Sequence, residues 1–303
     1  MTSIAQEGRT RIYRSSKVRS QAMAGLLFVL PMLVLFVVFR FVPTLGAFGL
    51  SLTDYKISGE FEFVGVKNYA DFFTSTIARN ALATTLLYAL IYVPLILLIA
   101  LASALVLHRI VWGSSFFRGT LFLPYVTSFV LAGIIWLWIF DLQGPLNATL
   151  GVINLGPVPF LTGAQPMVLT SLAAVSAWRG FGYSMLILLA GLKSIPGELY
   201  ESARIDGASV GRQFTDITLP LLRPSLFFVL VIETIGAFQV FDTIYVMTGG
   251  GPARASYSLV YYLYDSGFKF FNFGYAAAIG VILFVIVFLI SMVQRRVLDR
   301  EEP

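Results

Sequence analysis

Cysteine is absent from the 303 residues, and histidine occurs once, at His108. Without thiols the chain has no disulfide staple, no thiolate metal site and no cysteine nucleophile. One imidazole leaves little room for a histidine-based metal site or catalytic triad, and beside Arg109 at the end of an apolar run it reads as interfacial. Charge is scarce too: 12% of residues are Asp, Glu, Lys or Arg, where soluble domains average about 25%. No large soluble core, no catalytic set and no metal set is expected.

What is abundant is apolar. Hydrophobic residues make up 57% of the chain, mean hydropathy is +0.82, and 27 Phe, 14 Tyr and 4 Trp supply aromatic anchors for lipid interfaces. The net charge of +5 does not point to nucleic acid, because the basic residues sort by membrane side and form no binding patch.

Residues 1–19 are polar and basic and read as an N-terminal arm. Residues 20–39 carry no charge and are long enough to span. A signal peptide is the rival reading, but the run is long for one and no small-x-small cleavage site follows closely. After an external segment at 43–80, five more apolar runs follow: 80–107, 119–140, 167–192, 225–247 and 274–293. Backbone hydrogen bonding in lipid requires these to be helices. The expectation is an all-α polytopic membrane protein of six transmembrane helices: arm 1–19, membrane domain 20–294 and tail 295–303. Arg40, Lys56, Lys67, Arg79, Arg254 and Lys269 fall on one side; the other basic residues, Arg179 apart, fall on the opposite side. The positive-inside rule therefore places both termini in the cytoplasm of a cell membrane.

One long polar insert, KSIPGELYESARIDGASVGRQFTDITLPLLRP at 193–224, lies on that cytoplasmic side. It reads as two short helices hinged at Asp206-Gly207, a turn signal. Pro196 suits a first helical turn with Ser194 as a nearby cap. Leu219-Pro220 and Pro224 are expected to stop the second helix before the next span. The small residues Ser202, Ala203, Gly207, Ala208 and Ser209 would admit a partner closely, although an idle polar loop explains the composition equally simply.

Glu201-Ser202-Ala203, Asp206-Gly207-Ala208, Phe214, Ile217, Leu219-Pro220 and Pro224 resemble the EAA loop of ABC importer permeases, with Ser202 where that family usually has Ala. Residues 51–73, 116–141 and 238–252 are similar to the maltose-type branch, and to the first of two paired permeases for sugars or glycerol-3-phosphate-type solutes. The resemblance implies that Glu201, Ser202, Ala203, Asp206, Gly207 and Ala208 couple to a cytoplasmic ATPase. It also implies a heterodimeric second permease, two ATPase subunits and an extracytoplasmic solute-binding protein. Gly249-Gly250-Gly251-Pro252 lacks the Lys-Ser/Thr of a phosphate loop and reads as a turn. ATP and Mg then belong to the ATPase, and this chain is a non-catalytic permease without a cofactor.

A charge at mid-span costs roughly 2.5–3.5 kcal/mol, so Arg179, Glu233 and Asp242 need reasons. Arg179 shares a helical face with Ser176 and Tyr183, with Gly180 and Gly182 permitting close approach. Either it pairs with an acid on a neighbouring span, or it faces a solute. Glu233 and Asp242, nine residues apart, would lie on opposite faces of a straight helix. Gln239 and Asp242 are then the better pair for a solute, with Glu233 a structural partner of Arg179 or of the second permease. The family resemblance supports Ser176, Arg179, Gly180, Tyr183 and Gln239 as cavity lining on the fourth and fifth spans. Trp178 reads as packing more readily than as a sugar-stacking ring. An arginine there suits an anionic head, which leans the expected solute toward glycerol 3-phosphate or a glycerophosphodiester and away from a neutral sugar. Proton or ion relay through Glu233 or Asp242 in a secondary transporter is the main rival; a membrane scaffold with no solute path is a second.

Overall fold

The computed structural model describes residues 16–59, 62–110 and 112–298. Most of the arm and the tail from 299 lie outside the described residues. Two units divide the chain at Gly49–Leu50.

In the first unit, α1 (Ser16–Phe36) and α2 (Val42–Leu50) join through a wide π-helical turn at Val37–Phe41. Together they form one apolar rod, Gln21–Leu50, with no buried residue. The sequence suggested a span ending near 39, but the helix runs on. Pro43 would clash with the carbonyl four residues back, at Phe39, and that carbonyl lies in the wide turn, where an extra residue loosens the hydrogen-bond ladder.

The second unit opens with a turn tied by Asn68, whose Nδ2 donates to the Ser51 and Thr53 carbonyls at 2.9 and 2.8 Å. α3 (Lys67–Thr74) follows, then α4 (Thr76–Arg109), which Ser75 caps by accepting from the Ala78 N–H at 3.3 Å. α5 (Ser114–Val126) and α6 (Phe129–Ile139) meet at 92°. Pro124 lies in the last turn of α5, and Thr127 and Ser128 are extended. α7 (Pro145–Val152) is held by buried Asn147, which donates to the Asp141 and Val158 carbonyls and accepts from the Val158 N–H.

Next come α8 (Gln165–Ser194), α9 (Gly197–Ile205), α10 (Val210–Gln213), a wide turn at Phe214–Thr218 and α11 (Leu219–Phe238). α12 (Asp242–Met247), α13 (Leu259–Tyr264), another wide turn and α14 (Phe273–Leu298) complete the unit. Among the described residues five helices are long and apolar enough to cross a membrane, and the bent α5–α6 pair makes a sixth if it is one span. The chain is an all-α polytopic membrane protein.

α8 is the central post, packed against α4, α5 and α11. Lipid is as apolar as leucine, so close packing more than hydrophobic burial holds such helices together. Gly182 meets the backbone of Leu121 and Phe122 on α5, and Gly191 faces Ser225 and Leu222 on α11; a Cβ at either would collide. Toward the α12 end, buried Leu169, Leu172 and Tyr88 belong to one cluster. Toward the 193–224 end, Met185, Leu188, Leu192, Leu222 and Ala104 form a second, against which Tyr200 and Ile217 pack.

Candidate functional site

A cavity of about 340 Å³ opens among α4, α5, α8 and the α11–α12 junction. Ser176, Arg179, Gly180, Tyr183, Gln239 and Asp242, the six sequence candidates, all line it. Tyr88, Tyr92, Tyr125, Phe129, Glu233 and Thr243 also line it, and sequence reasoning did not place these there.

For Glu233 and Thr243 the reason is a break in the fifth span. α11 ends at Phe238, and Asp242 begins a separate helix after Phe241 turns the chain at φ −140°, ψ −58°. The straight-helix expectation that Glu233 and Asp242 face apart is corrected by this break, and both carboxylates line the one cavity. Glu233 accepts from the Tyr92 hydroxyl at 2.7 Å and from the Ser184 hydroxyl. Its structural partners are therefore these hydroxyls, and Arg179 forms no ion pair with a carboxylate among the described residues.

Arg179 is held in another way. Its Nε donates to the Thr127 carbonyl at 3.2 Å, and its guanidinium lies 3.4 Å from the Phe129 ring centroid and 5.5 Å from that of Tyr125. The α5–α6 bend frees that carbonyl from a helical partner and presents Phe129 as a cation–π platform. Tyr125 stacks on Tyr183 at 5.0 Å, and Tyr88 on Tyr92 at 5.6 Å. Ser176 and Thr243 hydroxyls meet at 3.2 Å. Trp178 packs edge-on against Trp136 at 5.5 Å. Such a wall offers aromatic faces, hydroxyl and carboxylate acceptors and one rigid donor fork, a set able to hold a polar, hydroxylated molecule.

The 193–224 segment is a second built feature. α9 stops in a Schellman cap: the Ala208 N–H donates to the Ala203 carbonyl at 2.8 Å and the Gly207 N–H to the Arg204 carbonyl at 3.1 Å. Gly207 has φ +78°, where a residue without Cβ is favoured. Ser209 accepts from the Arg212 N–H at 3.4 Å and starts the next helix. The Gln213 amide donates to the Ala208 carbonyl at 2.9 Å, and the Tyr200 and Thr218 hydroxyls meet at 2.9 Å, pinning α9 to the helix that follows.

Three local expectations differ. Pro196 is the cap residue itself, Ser194 ends α8 and donates to the Gly191 carbonyl, and no side chain caps α9. Pro220 and Pro224 do not stop the chain, which runs as one helix over Val210–Phe238. The wide turn at Phe214–Thr218 contains Asp216, whose carbonyl Pro220 would otherwise meet. At the tip Glu201, Ser202, Asp206 and Gly207 are exposed, Ala203 and Ala208 half-buried. Ile205, which sequence reasoning did not single out, is 87% exposed there. Gly249 and Gly250 have positive φ, as a turn requires.

Residues 96–301 match the family described as "Binding-protein-dependent transport system inner membrane component". The chain is 36% identical over 277 residues to the sn-glycerol-3-phosphate transport system permease protein UgpA of Agrobacterium fabrum, covering 90% of this chain and 94% of that one. It is 37% identical to the arabinooligosaccharides transport system permease protein AraP of Bacillus subtilis, covering 90% and 88%. It is 33% identical to the trehalose/maltose transport system permease protein MalF of Thermococcus litoralis, covering 91% and 94%. Its fold is similar to that in the crystal structure of a bacterial alginate ABC transporter in complex with alginate pentasaccharide-bound periplasmic protein, with TM-score 0.80, 23% identity and coverage of 93% and 96%. The chain thus belongs to the binding-protein-dependent transport system inner membrane components, as a multi-pass permease of a sugar-type ABC importer.

Proposed function

We propose that this permease passes a carbohydrate through the cavity around Arg179. The observation that carries the reading is that Glu233 and Asp242 line the same aromatic-walled space as a single guanidinium. Two carboxylates against one cation disfavour an anionic solute, whereas hydroxyl donors satisfy carboxylates and pyranose faces stack on tyrosine. Ser176, Arg179, Gly180, Tyr183, Gln239 and Asp242 contact the solute, with Tyr92 and Glu233 at the wall. A phosphate-bearing solute of the glycerol-3-phosphate type is the second reading. It is favoured by the absence of a direct ion pair at Arg179 among the described residues and by what the A. fabrum relative is named for.

In the mechanism proposed, both termini are cytoplasmic and an extracytoplasmic binding protein delivers the solute. A second, paralogous permease supplies the facing wall. Two ATPase subunits, which carry ATP and Mg, dock on Glu201, Ser202, Ala203, Asp206, Gly207 and Ala208. Their closure moves α9, and the Tyr200–Thr218 and Gln213–Ala208 links pass the displacement to the Val210–Phe238 helix. That helix, rising about 1.5 Å per residue, ends at Phe238 beside Gln239 on the cavity, so motion at the tip changes access to the solute.

Competition against radiolabelled oligosaccharide uptake in the assembled, reconstituted transporter tests the solute class. Unlabelled maltose-type or arabino-type oligosaccharides are expected to compete. Competition by glycerol 3-phosphate with none from oligosaccharides would sink the carbohydrate reading.

A further inference from the structure

Beneath the Asp206–Gly207 turn lies a separate cavity of about 540 Å³, between the ends of α4 and α8 and the α9–α10 hinge. Its floor is apolar, from Leu105, Leu192 and Phe214, and its polar rim includes His108, Arg109 and Arg204. Among the described residues no acidic side chain lines it. Arg204 uses its Nε on the Tyr200 carbonyl at 3.3 Å, and neither arginine forms an ion pair with a carboxylate among the described residues. Both arginines are exposed. Arg212 on the same segment, by contrast, pairs with Asp216 at 3.3 Å.

We propose that this cavity is an anionic phospholipid site, with the lipid phosphate between Arg109 and Arg204 and the glycerol–acyl portion over Leu105, Leu192 and Phe214. A guanidinium pair recognises phosphate through its planar donor forks, and basic pockets between span ends on the cytoplasmic side suit lipid headgroups. The apolar floor separates a lipid from free phosphate, which gains nothing from it. The lipid would touch Arg204 and Ala208 directly, so headgroup occupancy sets how firmly the proposed coupling segment is seated. The cytoplasmic placement of this end enters only as the leaflet that supplies the lipid.

Native mass spectrometry of the delipidated, assembled transporter tests the site without requiring transport. Titration with phosphatidylglycerol is expected to leave one tightly held lipid that phosphatidylcholine does not replace. Arg109→Gln should weaken it about fivefold, and Arg109→Gln with Arg204→Gln about thirtyfold, at one surface charge each. Arg109→Lys keeps the charge without the donor fork and should weaken binding less than Arg109→Gln, which guards against a folding defect. Arg118→Gln, a basic residue nearby in sequence but outside the cavity, should change nothing. Equal retention of phosphatidylcholine, an equal loss from Arg118→Gln, or displacement of the lipid by inorganic phosphate alone would each overturn the proposal.

Discussion

Tyr92 on α4 donates its hydroxyl at 2.7 Å to Glu233 on α11, across 141 residues of sequence, and Ser184 on α8 donates to the other carboxylate oxygen. Three helices thus converge on a carboxylate that is only 7% exposed. Both oxygens are satisfied, so an acid inside the membrane is tolerated at the cavity wall. Tyr92→Phe should therefore cost about 1 kcal/mol, the scale of an interhelical hydrogen bond in a bundle, and Ser184→Ala a similar amount. The double variant should be non-additive, since both bonds share one acceptor. Thermal unfolding of the purified protein checks this; a Tyr92→Phe midpoint equal to wild type would contradict the bridge.

Arg179→Gln removes a guanidinium held on Thr127 and Phe129. The carbohydrate reading predicts that neutral oligosaccharide uptake falls about tenfold, as for loss of one charge-assisted hydrogen bond. A loss confined to glycerol 3-phosphate transport would instead favour the anionic solute. Paired uptake assays on the same vesicles separate the two.

Gly207 sits at φ +78° with open space where a Cβ would lie. Substitution there acts through backbone conformation and surface charge, with no buried clash. Asn tolerates the left-handed region, so Gly207→Asn should fold and transport. Gly207→Asp adds a negative charge at the tip and is expected to let the ATPase hydrolyse ATP while uptake falls. Normal coupled uptake by Gly207→Asp would count against the coupling role.

Ile205 at the same tip is a large apolar side chain left 87% exposed among the described residues. If the ATPase cleft receives α9, Ile205→Ser should loosen the complex about tenfold or more, the range of an interface anchor. Pull-down of the ATPase with the detergent-solubilised permease measures it. Unchanged retention would move the anchor elsewhere on the segment.

Much of this was legible in the sequence for physical reasons. Charge-free runs locate spans because lipid excludes charge, and Asp206-Gly207 marks a stop because glycine rests most easily in the αL position of a Schellman cap. The cavity was half legible: Ser176, Arg179, Gly180 and Tyr183 share one helical face and need no tertiary information. The expectation that Glu233 faces away from Asp242 fails because of the break at 239–241, which contains no proline or glycine, so nothing in the residues announced it. Pro220 misled in the opposite direction, since a wide turn upstream absorbs its clash without ending the helix. Tyr88, Tyr92 and Tyr125 reach the cavity from helices whose rotation depends on packing against α8, which periodicity alone does not set.

The central claim is that ATP energy enters at residues 201–208 and is spent at the Arg179 cavity. Proteoliposomes holding the assembled transporter, with ATP sealed on the ATPase side and loaded binding protein on the other, test it most directly. The account predicts solute accumulation that requires both ATP and the binding protein, and that persists when an ionophore collapses the membrane potential. Accumulation without ATP, driven by an imposed proton or sodium gradient, would contradict it.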